Sequence, residues 1–571
     1  MRHTAGASHR PYDHAVRLAE RQRLPEGWTP VLLAGAWALA FGAWPLLRLA
    51  AEAAGRWSLL WDMAGDAAIW RAAGRSLAGA AAAAVLATLL GAAAALSLLL
   101  RMRFRRLLAL LFVLPMLVPP QIMALAWIQA AAPSGPFRLW LGVPGPFGQG
   151  NWLYGPHGIV LLLAVQTAPL VFLTTLGLVR RLPGELIEAA RGLGARPVRA
   201  LAAAALPLLA PGIMAGAALA FVAAIGNFGT AALIGLPARW PMLTVLIWQR
   251  LTGPGSNALA EAAVLSLLLA MLAATGLALA ALARRRGTPV PAGRAFAPVG
   301  APRLAALAGT LMGLYGIAVL ALPLAALVAA AFAPAAGLPP VVTFRTAAAL
   351  ATALWQQPAV GEAVRNSLLL ALGAGVVLAA AAVPLARLSA LPAARPVALW
   401  IALPQALPGT VTAVGAILVA LMLPFGAGAA LYGGTGLILL AYLSRFALLA
   451  TRPVAASLAL LDPRIADAAA GLGAGPWARL GRVTIPLTLP AIAAGGTLVA
   501  LSAVNELTVS ALLYAAGSRT LGVVVFGLNE GGETQLAAAV SLLSLAITAG
   551  LLAAATWLGR RLPPGAVPWR V

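Results

Sequence analysis

Two polar stretches of this chain recur in register. Glu188-Ala189-Ala190-Arg191-Gly192-Leu193-Gly194-Ala195 returns as Asp467-Ala468-Ala469-Ala470-Gly471-Leu472-Gly473-Ala474, and Pro197, Pro207 and Pro211 are answered by Pro476, Pro486 and Pro490, each 279 positions later. A carboxylate followed by alanine and glycine is poor equipment for catalysis but good equipment for a short docking helix. Pro183-Gly184 and Asp462-Pro463 break the preceding helix, and the acidic residues Glu185, Glu188 and Asp467 then complement the positive end of a new helix dipole. Gly192, Gly194, Gly471 and Gly473 stop or turn it. The spacing predicts a short helix with a small Ala/Gly side that can enter a groove on another protein. A helix resting on lipid headgroups is the alternative for one copy; two copies in register, with their flanking prolines, favour docking.

A second pair stands at the same offset, Asn227 and Glu506, with Asn505 beside the latter. Glu506 lies at or near the start of an apolar run, where an ionisable group normally faces a cavity or a partner because exposure to lipid is costly. Asn227, Asn505 and Glu506 are therefore expected to border a central passage, with Glu506 favouring cationic or chelated-metal cargo or pairing with an arginine; a headgroup-level residue in a loose turn is the bland alternative.

Much other chemistry is excluded by composition. All 39 basic residues are Arg, and without Lys there is no P-loop lysine, Schiff base or lysine general base. With no Cys there are no disulfides, thiolate nucleophiles or Cys-held metals. Of the four His, His3, His9 and His14 lie in the N-terminal tail and His157 in a loop, without a regular metal-ligand spacing. No metal site and no catalytic residue is expected, and a membrane-embedded enzyme lacks its motifs.

The elements that must position these stretches are membrane helices. The 571 residues are 62% hydrophobic and 9% charged, with a mean hydropathy of +0.93, whereas soluble domains carry about 25% charged residues. A net charge of +24 sits in short clusters between apolar runs, not on one basic domain, so nucleic acid is not an expected partner. Runs of roughly 20 apolar residues suit a helix crossing ~30 Å of hydrocarbon. They are expected near 31–51, 77–100, 107–131, 158–180, 212–236, 260–283, 304–332, 366–388, 397–422, 434–458, 491–515 and 535–558. The first is read as a retained helix, being too long and too far from the start for a signal peptide. Placing the N-terminus inside puts roughly 29 arginines on the cytoplasmic side, as the positive-inside rule requires; both termini and both copies of the first motif then face the cytoplasm.

The Pro-, Gly- and Arg-rich stretch 284–303 divides the chain nearly in half. The expected organisation is a basic tail (1–30), a first six-helix repeat (31–283), the linker (284–303), a second repeat (304–558) and a C-terminal tail (559–571). Leu114-Pro115 with Pro119 matches Leu403-Pro404 with Pro408, and these prolines are expected to bend the third span of each repeat. Matching loops on one face require parallel repeats, with a pathway where the halves meet.

The pattern of Glu188, Ala189, Ala190 and Gly192, and of Asp467, Ala468, Ala469 and Gly471, followed by paired prolines, resembles the coupling motif of inner-membrane permeases of binding-protein-dependent ATP-binding-cassette importers. Asp467 shortens the acidic arm of the second copy. The fused arrangement is similar to the iron(III) and thiamine subgroup, and Gly226-Asn227-Phe228-Gly229-Thr230-Ala231-Ala232-Leu233, Asn505-Glu506-Leu507-Thr508-Val509-Ser510 and Thr520-Leu521-Gly522-Val523 look closest to the iron(III) transporters. The resemblance implies an all-α, type I permease of about twelve spans in the bacterial inner membrane. It also implies two copies of an ATPase, which uses ATP and Mg and docks on the short helices, and a solute-binding protein on the outer face. The chain itself then needs no cofactor, and its cargo is expected to be iron(III), with thiamine, phosphonate, sulfate, molybdate or polyamine as alternatives. An ion-coupled secondary transporter is the rival class, disfavoured because most of the 15 acidic residues fall in predicted loops.

Overall fold

In the computed structural model the described residues are 29–558 except 134, 136–150, 181, 201–202, 204, 286–297, 335–337, 392–393, 425, 427 and 429–430. The tails 1–28 and 559–571, with His3, His9 and His14, and most of the expected linker lie outside them. Among the described residues every extended element is helical; an isolated β-bridge joins Leu100 to Val299. Ten helices are long and apolar enough to cross a membrane, and two further pairs bend at a break. Counting each bent pair as one span makes twelve.

Helices occur in the same order on either side of 286–297. Ala67–Ser97 corresponds to Pro358–Ala390, Pro156–Val179 to Thr435–Leu460, Leu206–Ile225 to Ile485–Val504, and Ala258–Arg285 to Thr534–Leu558. The bent pairs also correspond: Arg105–Leu117 with Pro120–Ala131 turns through 102°, and Arg395–Ala406 with Gly409–Ala420 through 113°. The break falls at Pro119 and Pro408, which have extended ψ values of 138° and 143°. The proline at each break cannot donate to the helical ladder. Ten of the twelve residues of Pro120–Ala131 are buried, so its backbone lies against protein, where a broken helix is tolerated.

Two expected spans end earlier than the apolar runs suggest. The runs 212–236 and 491–515 end as helices at Ile225 and Val504, and separate short helices follow at Phe228–Gly235 and Ser510–Leu513. Further short apolar helices, Leu243–Thr252 and Leu521–Glu530, reach only ~15 Å and cannot cross a bilayer alone. Hydropathy merges such segments with the preceding span because it registers apolarity and not direction.

The first span of each half is broken by a π-helical segment, at Ala38–Ala43 and at Ile317–Ala321. Each segment is followed by a proline, Pro45 and Pro323, which withholds its N–H from the carbonyl four residues back. Those carbonyls, on Phe41 and Val319, are taken by side chains of the opposite half: the Ser444 hydroxyl donates to Phe41 O, and Trp127 Nε1 donates to Val319 O at 3.3 Å. Each first span accordingly packs across the seam, the one through Trp44–Ala54 on Gly409–Ala420, the other through Leu322–Phe332 on Pro120–Ala131. Gly42 permits the approach: a Cβ there would sit 2.0 Å from the Trp400 carbonyl oxygen.

Candidate functional site

The two recurring stretches fold alike. Gly184–Gly192 and Pro463–Gly471 are nine-residue helices, the first entered through Pro183 and the second capped by Asp462, whose side chain accepts from Arg464 N at 2.9 Å. Both end in the same capping turn. Ala195 N donates to Ala190 O (3.1 Å) and Gly194 N to Arg191 O (2.9 Å); Ala474 N donates to Ala469 O (3.0 Å) and Gly473 N to Ala470 O (2.9 Å). Gly194 and Gly473 have φ of +85° and +81°, the left-handed conformation that this turn needs and that a Cβ opposes.

Gly192 and Gly471 have no such reason to be glycine. Each is the last residue of its helix, and a Cβ on either would meet nothing within 4 Å. Glu188, Ala189, Gly192, Asp467, Ala468 and Gly471 are exposed, Ala190 and Ala469 half-buried, and Leu193 and Leu472 stand 90% and 89% exposed. Two leucines in open solvent beside bare glycines form a small apolar surface that the described residues leave uncovered.

The second constellation lies where the fifth span turns. Asn227 caps Phe228–Gly235: its Oδ1 accepts from Thr230 N at 3.0 Å, and its Nδ2 donates to Gln166 Oε1 at 3.0 Å. Gln166 donates to Thr230 Oγ1 at 3.1 Å and approaches Pro120 O at 3.5 Å. At the equivalent place Glu506 Oε2 accepts from Val509 N (2.8 Å) and Ser510 N (3.3 Å), while its Oε1 lies 3.9 Å from Arg445 Nε. Arg445 donates to Leu407 O at 3.2 Å. Gln166 and Arg445 are themselves 279 positions apart. One half therefore uses an amide pair, and the other an ion pair, to tie the turn to the fourth span and to the break in the third.

Asn505 faces a different way. Its side chain bonds Thr548 Oγ1 (3.0 Å) on the last span, and only its carbonyl reaches the other half, accepting from Gln121 Nε2 at 3.1 Å. Beside this contact Phe228, Trp248 and Phe526 close the seam between the halves, with ring centroids 5.6 to 6.1 Å apart. Gln121, Gln166, Arg445, Trp248 and Phe526 are not evident as site residues in the sequence, although the offset that links Asn227 to Glu506 also links Gln166 to Arg445. Among the described residues no three His, Asp or Glu side chains are grouped as metal ligands.

The chain is thus an all-helical membrane protein whose corresponding halves meet at a polar and aromatic seam and expose two short helices. The family model described as "Binding-protein-dependent transport system inner membrane component" matches residues 87–286. The molybdenum transport system permease protein ModB of Mycobacterium bovis is 30% identical over 242 residues, covering 41% of this chain and 87% of that protein. This chain belongs to that family of binding-protein-dependent transport permeases. A 2-aminoethylphosphonate transport system permease protein, PhnV of Salmonella choleraesuis, is 32% identical over 164 residues, 28% of this chain and 60% of that protein. PhnU of Salmonella typhimurium is 35% identical over 123 residues, 21% and 42% respectively. The chain thus spans about three fifths of the length of the PhnV relatives it matches. A bacterial alginate ABC transporter aligns at a TM-score of 0.31 and 16% identity over 37% of this chain and 82% of its own, a likeness too low to carry an argument.

Proposed function

We propose that this chain is the fused transmembrane subunit of an ATP-driven importer, with two repeats near 31–283 and 304–558. Two copies of a separate ATPase dock on Gly184–Gly192 and Pro463–Gly471, and a solute-binding protein delivers cargo on the opposite face. The distribution of arginine supports a cytoplasmic docking face with both termini on the same side. One observation carries the reading: two equivalent, solvent-facing helices with identical capping turns, each keeping a glycine that none of the described residues requires. A partner surface approaching to backbone distance supplies the missing reason.

ATPase closure draws the two helices together and reorients the halves about the seam, where Asn227 and Glu506 hold the turns that border the passage. For cargo, the relatives' names favour a small oxyanion of the phosphonate or molybdate kind over the iron(III) expected from the motifs.

The test is co-purification with the cognate ATPase and ATP-driven uptake in proteoliposomes, using Gly192→Leu, Gly471→Leu and the double variant. Each single substitution is expected to weaken ATPase association, and the double to abolish coupled uptake, with unchanged thermal stability of the chain alone. Full coupling in the double variant, or uptake driven by an ion gradient without ATPase, overturns the reading.

A further inference from the structure

The halves differ at the base of the two short helices. In the first half the space beneath Gly184–Gly192 is an apolar cluster of Leu99, Val179, Leu182, Ile187, Ala200, Ala205 and Leu209, closed by Val299. Val299 arrives from the segment that joins the halves and is held by backbone bonds, Arg101 N to Val299 O and Val299 N to Leu99 O, both 2.9 Å. Leu96 packs against the same cluster. The 279-residue offset carries Ala200 to Arg479 and Ala205 to Thr484, and the 291-residue offset of the second spans (Ser76 to Ser367) carries Leu96 to Arg387. Two alanines and a leucine have become two arginines and a threonine.

These three residues converge. Arg387 Nη2 donates to Thr484 Oγ1 at 2.9 Å, and the positive charges of Arg387 and Arg479 act on each other. Arg479 is only 9% exposed, and among the described residues its Nε is sealed from solvent with no hydrogen-bond acceptor and it forms no ion pair. A buried guanidinium without a counter-charge is costly, and a second cation beside it adds repulsion. An anion removes both penalties.

Depth indicates which anion. Arg387 is three residues from the end of Pro358–Ala390, and Arg479 is three residues beyond the start of the Pro476–Val504 span, so both stand where the apolar helices meet headgroups. Trp477, 62% exposed, and the exposed Arg482 lie on the same turns; tryptophan and arginine favour this level of a bilayer. A guanidinium fork matches a phosphate oxyanion in two bonds, and basic pockets between helices on the cytoplasmic side suit lipid phosphates. We propose that Arg387, Arg479 and Thr484 form a binding site for a phosphate oxyanion, supplied by an anionic phospholipid headgroup, at the base of the second docking helix. There it takes the place that the inter-repeat strap at Val299 fills in the first half.

The full-length chain in detergent is examined by native mass spectrometry and by thermal unfolding, with additions of phosphatidylglycerol, phosphatidylcholine or inorganic phosphate. Phosphatidylglycerol is expected to stay bound and to raise the unfolding temperature, phosphatidylcholine to do neither, and inorganic phosphate at millimolar concentration to stabilise little. Arg479→Gln and Arg387→Gln are each expected to weaken phosphatidylglycerol retention about tenfold, as loss of a charge-assisted contact implies. Arg479→Gln should also unfold at a higher temperature than the parent chain when no anionic lipid is present, because the unpaired buried charge is gone. Arg479→Lys should keep part of the lipid response. Equal responses of the parent and Arg479→Gln to phosphatidylglycerol overturn the site. Equal stabilisation by inorganic phosphate and phosphatidylglycerol overturns the lipid source. Neither measurement uses the ATPase or transport, so failure here is distinguishable from failure of the importer reading.

Discussion

Replacing Arg445 and Glu506 by the amides that occupy the same positions in the first half, as Arg445→Gln with Glu506→Asn, separates the work of charge from the work of the cap. At 3.9 Å and an effective dielectric of ~20, the two charges attract by about 4 kcal/mol before desolvation is counted. The carboxylate also accepts two backbone N–H bonds, at 2.8 and 3.3 Å, and a cap of this kind is worth about 1 kcal/mol. Glu506→Asn removes the negative charge and strands a guanidinium whose side chain is 19% exposed, so a loss of about 3 to 5 kcal/mol is expected. Arg445→Gln strands a carboxylate that keeps its N–H donors, and should cost less. The double amide variant recreates the Gln166–Asn227 pair and should recover most of the loss, giving a coupling free energy of ~1–3 kcal/mol. SDS titration in mixed micelles, followed by tryptophan fluorescence, measures each corner of the cycle. Additive single effects would falsify the claim that the two dyads are structural equivalents.

Two further outcomes follow from the geometry. Gly194→Val and Gly473→Val impose a branched side chain on φ values of +85° and +81°, which costs roughly 1–2 kcal/mol at the turn; ATPase association measured by co-purification should fall in both, although neither residue lies within a docking helix. Trp127→Phe removes the donor to the Val319 carbonyl and leaves a buried acceptor unsatisfied, for a loss of about 1–3 kcal/mol. The same SDS titration should register that loss, and an unchanged midpoint would show that the freed carbonyl finds another partner.

The apolar runs predicted all twelve spans because a bilayer demands length and hydropathy, which sequence states directly. The bends at Pro119 and Pro408 were equally legible, since proline acts locally. Reading 212–236 and 491–515 as continuous spans overran the turns at Asn227 and Glu506, for there an apolar sequence reverses direction inside protein. Glu506 stood out as a charge in an apolar run; its partner Arg445 did not, because 61 positions separate them and only packing brings the fourth span to the fifth.

By itself the sequence determined that this is a membrane protein of two corresponding halves, each with a short recurring helix, because composition, proline and the 279-residue register act through local rules. Tertiary structure alone decided that each first span crosses to the opposite half, where Ser444 and Trp127 take the carbonyls that Pro45 and Pro323 release. It also decided that Gln166 meets Asn227 while Arg445 meets Glu506, and that Arg387 bonds Thr484 in the second half where Leu96 and Ala205 join an apolar cluster in the first. These are contacts between distant segments. Their energies depend on what lies opposite each side chain, and no periodicity along the chain records that.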